Sequence, residues 1–370
     1  MVEALKKIDK KILIIAGVII CFPILIIVFL AIMRSCSNSK ITYEGYEAKM
    51  IVAAEKYFDE NKKNPTKERE KVTVKLNTLV KKEYIKSSED LLDDDSCEGS
   101  VTVRLNGSLI EENDGGFLNY TVNLECQNYK TNTLKSSILK DLTTQGNGLY
   151  DLNNRYVFKG DEVNNYISFF GTMYRIVNIN DAGIVKLIKT ESEPLDRYWD
   201  NKYNVNINDI YGKNIYADSA ILKYMVADYN NDKVIKNSSK KHIVSTDVCI
   251  DSRDLNDNVI GDYSCINKLE KQVIALLDIS DFARASLDPD CNSITSKSCG
   301  NYNYLKKLNL NTWTPIAVAN NTYQIYYLSN GIIKFQEASK YQKYNLVIHI
   351  DGNEKIVSGK GTESDPYVIE

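Results

Sequence analysis

The hydrophobic pattern opens with a stretch that has no polar position at all, Ile12 to Met33 (ILIIAGVIICFPILIIVFLAIM). At a rise of about 1.5 Å per residue the run is long enough to cross a hydrocarbon core roughly 30 Å thick. Lys6, Lys7, Lys10 and Lys11 crowd its N-terminal side, whereas only Arg34 and Lys40 follow closely. The positive-inside rule then predicts a cytoplasmic segment at 1–11, a transmembrane helix at 12–33 and everything beyond it outside the cell membrane. A secretory signal peptide would need a shorter apolar region and a small-residue cleavage site, and Met33-Arg34-Ser35-Cys36 is a poor one. A lipoprotein would carry its lipid on Cys36, but Arg34 stands where a small residue is needed. A buried core helix is rarely this long without a polar face. Pro23 fits a bilayer helix, which tolerates such kinks.

From Ile41 the pattern becomes one-sided. Tyr43, Tyr46, Met50, Ala53, Ala54 and Tyr57 recur at three- and four-residue steps, predicting a helix with one apolar face that Asn64-Pro65 ends. Val72–Leu76 leads into a second helix near Asn77–Tyr84, and acidic Glu89–Asp95 reads as a solvated loop. Two alternating runs follow. Val101, Val103 and Leu105 share one strand face, and Leu118, Tyr120, Val122 and Leu124 share another. Pairing Val101 with Val122 sets Cys97 opposite Cys126, so that a disulfide would staple the open end of this hairpin. Residues 130–149 are rich in Thr, Ser and Lys, close on Gln145-Gly146-Asn147-Gly148, and read as a linker with a short helix at most.

Beyond the linker, strands are predicted at Tyr156–Phe158, Tyr166–Phe170, Met173–Ile179 and Ile184–Ile188. Asp218 or Ser219 can cap a helix that carries Ile221, Leu222, Met225 and Tyr229 on one side. A short helix at Ser280–Ser286 follows apolar Val273–Leu277, and late strands fall at Tyr323–Leu328, Ile332–Phe335 and Leu346–Ile350. Helices set among mostly antiparallel strands make the fold class α+β.

Composition sharpens this picture in three places. The balance is mildly acidic, net −3, with Lys and Asp/Glu interleaved, so the clustered positive charge of a nucleic-acid footprint is missing. Frequent Lys, Asn, Ile and Tyr resembles the usage of an AT-rich, low-GC Gram-positive bacterium, an association and not a physical argument. Of the 8 cysteines, Cys21 lies in the apolar run and Cys36 at its edge, while Cys97, Cys126, Cys249, Cys265, Cys291 and Cys299 fall outside. An even set in an oxidising compartment reads as disulfides, and spacing favours the nearest-neighbour pairs. A zinc site is disfavoured, since no C-x-x-C occurs and the chain has 2 histidines.

The membrane helix, YEGYEAKMIVAAEKYFDENK, VTVKLNTLVKKEYI and the sheet ending YTVNLECQNYKT together resemble a pilin-like module. Such modules of low-GC Gram-positive surface proteins are similar to type IV pilins and pseudopilins. The resemblance implies a small α+β domain at 41–129. It departs at one point, because no prepilin-peptidase site precedes the apolar run. Further on, NNYISFFGTMYRIVNIN, DSAILKYMVADYN, VIALLDISDFARAS, NTWTPIA and SGKGTESDPYVIE come in an order that resembles an uncharacterised extracytoplasmic family. That family is C-type-lectin-like and distantly similar to the formylglycine-generating-enzyme fold. The resemblance implies a C-type-lectin-like α+β domain at 150–370, with Tyr174 where Trp is usual, and carries no established activity.

The candidate chemistry is thin. A calcium ion is possible at Asp254, Asn256, Asn258 and Asp262 inside the Cys249–Cys265 loop, although Val259 stands where an EF-hand wants Gly. Glu193-Pro194 and Trp199-Asp200-Asn201 are faint versions of calcium-lectin signatures. No other cofactor is expected. Enzyme chemistry of the formylglycine-generating type would need cysteines after Cys299, and there are none. No G-x-S-x-G elbow accompanies His242 or His349, and no phosphate loop occurs. Tyr198, Trp199, Tyr203, Tyr302, Tyr304 and Trp313 sit in polar loops and form the candidate ligand-binding surface, since rings with polar tips suit sugar stacking and protein interfaces. The expectation is a single-pass surface protein, not an enzyme, that binds envelope glycan or a protein partner. The alternatives are an assembly component of pseudopilin type and an extracytoplasmic enzyme of unrecognised type. No sortase-type signal closes the chain, so wall attachment is not expected.

Overall fold

The computed structural model describes residues 40–106, 116–152, 155–201, 214–258 and 265–370. The apolar run 12–33 lies outside them, and among the described residues no helix is long and apolar enough to cross a membrane. They form an α+β chain with two separate hydrophobic cores.

The smaller core lies between α1 (Tyr43–Glu60) and a four-stranded antiparallel sheet. Thr42 starts the helix, its hydroxyl accepting the Gly45 amide at 3.1 Å. Tyr46, Met50, Ala53, Ala54 and Tyr57 are all buried, the face that the periodicity predicts. The sheet runs β1 (Lys71–Lys75), β2 (Glu98–Asn106), β3 (Phe117–Cys126) and β4 (Tyr129–Lys130) in that order. Val101 faces Val122, and the Cys97–Cys126 disulfide closes the open end of the β2–β3 hairpin. A Cβ at Gly99 would come within 2.6 Å of the Asn123 carbonyl oxygen and 3.1 Å of Met50 Cε, so glycine lets α1 lie close to the sheet.

Between β1 and β2 run α2 (Leu76–Lys81) and α3 (Ser88–Leu92). The second of these replaces part of the expected acidic loop. Ser87 accepts the Asp90 amide at 3.1 Å, Leu91 is buried, and Glu89 and Asp90 occupy the first turn, where the helix dipole favours negative charge. The stretch 130–149 holds α4 (Leu134–Ile138), opened by a Thr133/Ser136 capping box. Leu134 and Ile138 belong to the larger core, and the Leu134 and Lys135 amides donate to the carbonyls of Glu354 and Gly352 at 2.9 and 2.8 Å.

The larger core surrounds a mixed sheet. Its strands are β5 (Gly148–Asp151), β6 (Arg155–Lys159), β7 (Tyr166–Phe169), β8 (Thr172–Asn180) and β9 (Ile184–Lys189), joined by two strands from the end of the chain. The remaining strands in chain order are β10 (Arg197–Tyr198), β11 (Thr246–Cys249), β12 (Lys268–Gln272), β13 (Asn311–Ala317), β14 (Gln324–Ser329), β15 (Ile332–Glu337), β16 (Tyr341–Gln342), β17 (Val347–Asp351) and β18 (Tyr367–Ile369). β17 pairs with β9, and β18 lies parallel to β7. Gly359 and Gly361, both at positive φ, turn the chain so that the tail reaches β7. The helices are α5 (Ala220–Asn230), capped by Ser219 with Ile221, Leu222, Met225 and Tyr229 buried, α6 (Asn237–Lys240), α7 (Ile279–Arg284) and α8 (Tyr304–Lys307). The pairs Cys249–Cys265 and Cys291–Cys299 are disulfides.

The two cores meet across polar groups. Arg104 Nη2 pairs with Asp351 Oδ2 at 2.7 Å, and Arg69 Nη2 with Asp247 Oδ1 at 2.7 Å. Asn119 Nδ2 donates to Glu354 Oε1 at 2.6 Å, and the other oxygen of Glu354 lies 3.0 Å from His242 Nδ1. Buried Glu47, on α1, pairs with Lys355 and accepts the Thr131 hydroxyl. Buried polar groups at a junction hold only when they are matched like this.

Candidate functional site

The expected aromatic surface is not one surface. Trp199, Trp313 and Tyr304 are fully buried in the larger core. The indole of Trp199 donates to the Thr314 carbonyl at 3.0 Å, and that of Trp313 to the Arg197 carbonyl at 2.8 Å. A buried Trp usually finds such a partner for its polar tip, and strands β13 and β10 supply it here. Tyr302 is 63% exposed and stands apart, while Tyr203 lies outside the described residues. Tyr198 keeps company with Tyr224, hydroxyl to hydroxyl at 2.6 Å, and meets the exposed ring of Tyr341 edge-on.

The expected calcium loop is organised by a cation of its own. Buried Arg253 reaches Asp257 Oδ2 at 3.0 Å and the Asn258 carbonyl at 2.9 Å. Asp254 spends one oxygen on the Asn256 amide at 3.1 Å, and Asp254, Asn256 and Asn258 are exposed. Asp262 lies outside the described residues. Among the described residues, the groupings of three potential ligands are Asp94, Cys97, Cys126 and Cys249, Asp251, Cys265, and each contains two sulfurs already bonded to one another.

A different site emerges where the two cores meet. A cavity of about 630 Å³ opens there, lined from the smaller module by Arg69 and Arg104 and from the larger by residues of β6, β8, β9, β11, β17 and the start of α7. Six cationic and four acidic side chains face it, together with His349. Its floor is set by a bulge. The β8–β9 register slips between Ile176 and Asn178, leaving Asn178 opposite Lys186, and bulges commonly re-aim side chains in this way. Both residues then converge on Asp281 at the first turn of α7. Lys186 Nζ lies 2.6 Å from Asp281 Oδ2, and Asn178 Nδ2 donates to Oδ1 at 3.1 Å. Asp278 caps the same helix, accepting the Ser280 amide at 2.7 Å.

These neighbouring carboxyls are driven in opposite directions. Burial, then repulsion from Asp281, raises Asp278 above the ordinary carboxylate range. Burial acts on Asp281 in the same sense, but the charge and hydrogen bond of Lys186, with Arg284 and Arg155 nearby, outweigh it and hold Asp281 low. His349, on β17, is pushed down to about 3 by burial and then by Lys186, so its ring is neutral at pH 7. Its Nδ1 lies 3.0 Å from the Thr246 hydroxyl.

No family model, curated protein or solved structure matches the chain. The site therefore stands on its own geometry. No catalytic or ligand-binding motif marks Arg155, Asn178, Lys186, Asp278, Asp281 or Arg284, although Asn178 lies in NNYISFFGTMYRIVNIN and Asp278, Asp281 and Arg284 lie in VIALLDISDFARAS. One signal was present: Asn178 and Lys186 are polar positions flanked on both sides by apolar ones, in RIVNIN and IVKLIK, where a core would place a hydrophobic residue.

Proposed function

We propose that the protein is a membrane-anchored extracytoplasmic binding protein. A transmembrane helix at 12–33 carries a pilin-like stalk that presents a C-type-lectin-like domain, and the ligand is an envelope glycan or surface protein. The observation that carries this reading is the cavity between the modules, because its walls come from both and its charge is rich in cations. Its volume falls within the roughly 300–1,000 Å³ of small-ligand sites. Three disulfides among the described residues suit an oxidising extracytoplasmic setting.

The test is titration of the full-length chain, held in neutral detergent, with a panel of envelope glycans and cell-wall fragments, in calcium and in chelator. Saturable binding is expected. Silence across the panel from folded, disulfide-bonded protein would transfer the function to assembly, with the stalk as the working part.

One observation favours a second reading, an extracytoplasmic hydrolase. Asp278 raised and Asp281 lowered within one cleft is the arrangement that acid–base catalysis uses. Both carboxyls are already engaged, Asp278 by the Ser280 amide and Asp281 by Lys186 and Asn178, which favours binding over turnover. Release of soluble products from the same fragments would reverse that order.

A further inference from the structure

We infer that the cavity between the modules receives a phosphate ester, and that the guanidinium groups of Arg155 and Arg284 take its oxygens. The inference rests on the cavity being the binding site, and it adds the chemical class of the ligand.

Three of the six cations around the cavity are matched. Arg69 has Asp247, Arg104 has Asp351 and Lys186 has Asp281. Elsewhere in the larger module, Arg175 and Arg253 are satisfied as well, while Arg197, away from the cavity, stacks on Tyr224 and leaves its buried Nε without a hydrogen-bond partner among the described residues. Arg175 donates to Asn165 and lies 3.7 Å over the Tyr166 ring, and Arg253 reaches Asp257, Ser280 and Asn258. Arg155, on β6, and Arg284, at the end of α7, differ. Both are partly buried and line the cavity, and among the described residues neither guanidinium has a hydrogen-bond or ion-pair partner.

The two buried carboxyls beside them, Asp281 and Asp278, do not neutralise them; Asp181 lies at the exposed rim. Both arginines act on Asp281, but its oxygens are held by Lys186 and Asn178. Asp278 faces Arg284 too, and burial disfavours its charged form. Lys268 adds a further positive charge at the exposed rim. A partly buried excess of positive charge is unfavourable until an anion enters. The rigid donor fork of arginine matches phosphate oxygens two at a time, which a lysine cluster would not do. The cavity, about 630 Å³, is far larger than one phosphate group, so it has room for the organic part of an ester.

The experiment uses the full-length chain in neutral detergent, titrated with poly(glycerol phosphate), inorganic phosphate, polygalacturonate and a neutral β-glucan. Saturable binding of poly(glycerol phosphate) is expected, weakening as salt rises. Arg155→Gln and Arg284→Gln should each weaken it about tenfold, the loss of one charge-assisted contact. Lys340→Gln, at an exposed position away from the cavity, should leave it unchanged. An unaltered melting temperature in each variant separates lost binding from lost folding. Binding of inorganic phosphate but not the polymer would overturn the ester, and so would binding of polygalacturonate alone. Polymer binding indifferent to both arginine variants would overturn the site. Binding of the β-glucan without the phosphate polymer would leave the glycan-binding reading standing and sink the phosphate, whereas no binding of any probe would count against both.

Discussion

The two cores are built on different plans. In the smaller, one helix face lies on one sheet face, and most buried side chains are apolar; buried Glu47, Asn106 and Asn119 make their contacts at the junction. The larger draws its sheet from both ends of its span, with β17 and β18 returning from the C-terminus to β9 and β7. It also buries Arg175, Arg253, Asp281 and His349. A small core has too little volume to solvate charges with its own dipoles, so it stays apolar and contributes a wall. A larger one can satisfy charged groups internally, and chemistry collects there.

The largest expected effect separates core rings from surface rings. Trp199→Ala and Trp313→Ala should each destabilise the larger module by about 3–5 kcal/mol, while Tyr302→Ala should stay within about 0.5 kcal/mol. Thermal unfolding checks both. Equal losses would mean that Tyr302 is a core residue too. The junction comes next. Arg104→Met strands the Asp351 carboxylate, whose side chain is 7% exposed, and should cost about 3 kcal/mol. Urea unfolding followed separately at each module should then lose its coincidence, as the two cores cease to unfold as one unit.

A smaller effect tests the buried charges of the larger core. His349 faces Lys186, Asp281 and Arg69, and its folded value of about 3 lies below the ordinary 6.5. Between those values the unfolded chain binds the extra proton, so stability is full above pH 6.5 and falls as pH drops through that window. About 2 kcal/mol should be lost from pH 6.5 to pH 5, and His349→Gln should flatten the slope. A slope unchanged by the substitution would show that the imidazole is not buried as described. Smallest is Tyr174, buried in β8 with no hydrogen-bond partner for its hydroxyl among the described residues. Tyr174→Phe should raise stability by about 1 kcal/mol, since it removes an unmatched polar group; a loss of stability would mean the hydroxyl is bonded.

The difference in plan also explains what could be read from the chain. The face of α1, the Val101–Val122 register and the Cys97–Cys126 staple follow from local periodicity, because each depends on neighbours close in sequence. So does the Ser219-capped α5. Trp199 and Trp313 were legible as aromatics but not as core, because their burial comes from contacts more than a hundred residues away. The cavity was illegible for the same reason. Asn178, Lys186 and Asp281 meet through a bulge and a helix cap, and no spacing in the sequence encodes either.

The most direct measurement is hydrogen–deuterium exchange on the full-length chain, with and without saturating poly(glycerol phosphate). Slower exchange is expected at 178–186, 244–249 and 278–284, and on the facing wall around Arg69 and Arg104. Slowing confined to the Tyr198–Tyr341 surface, with the junction unchanged, would contradict a ligand site between the modules.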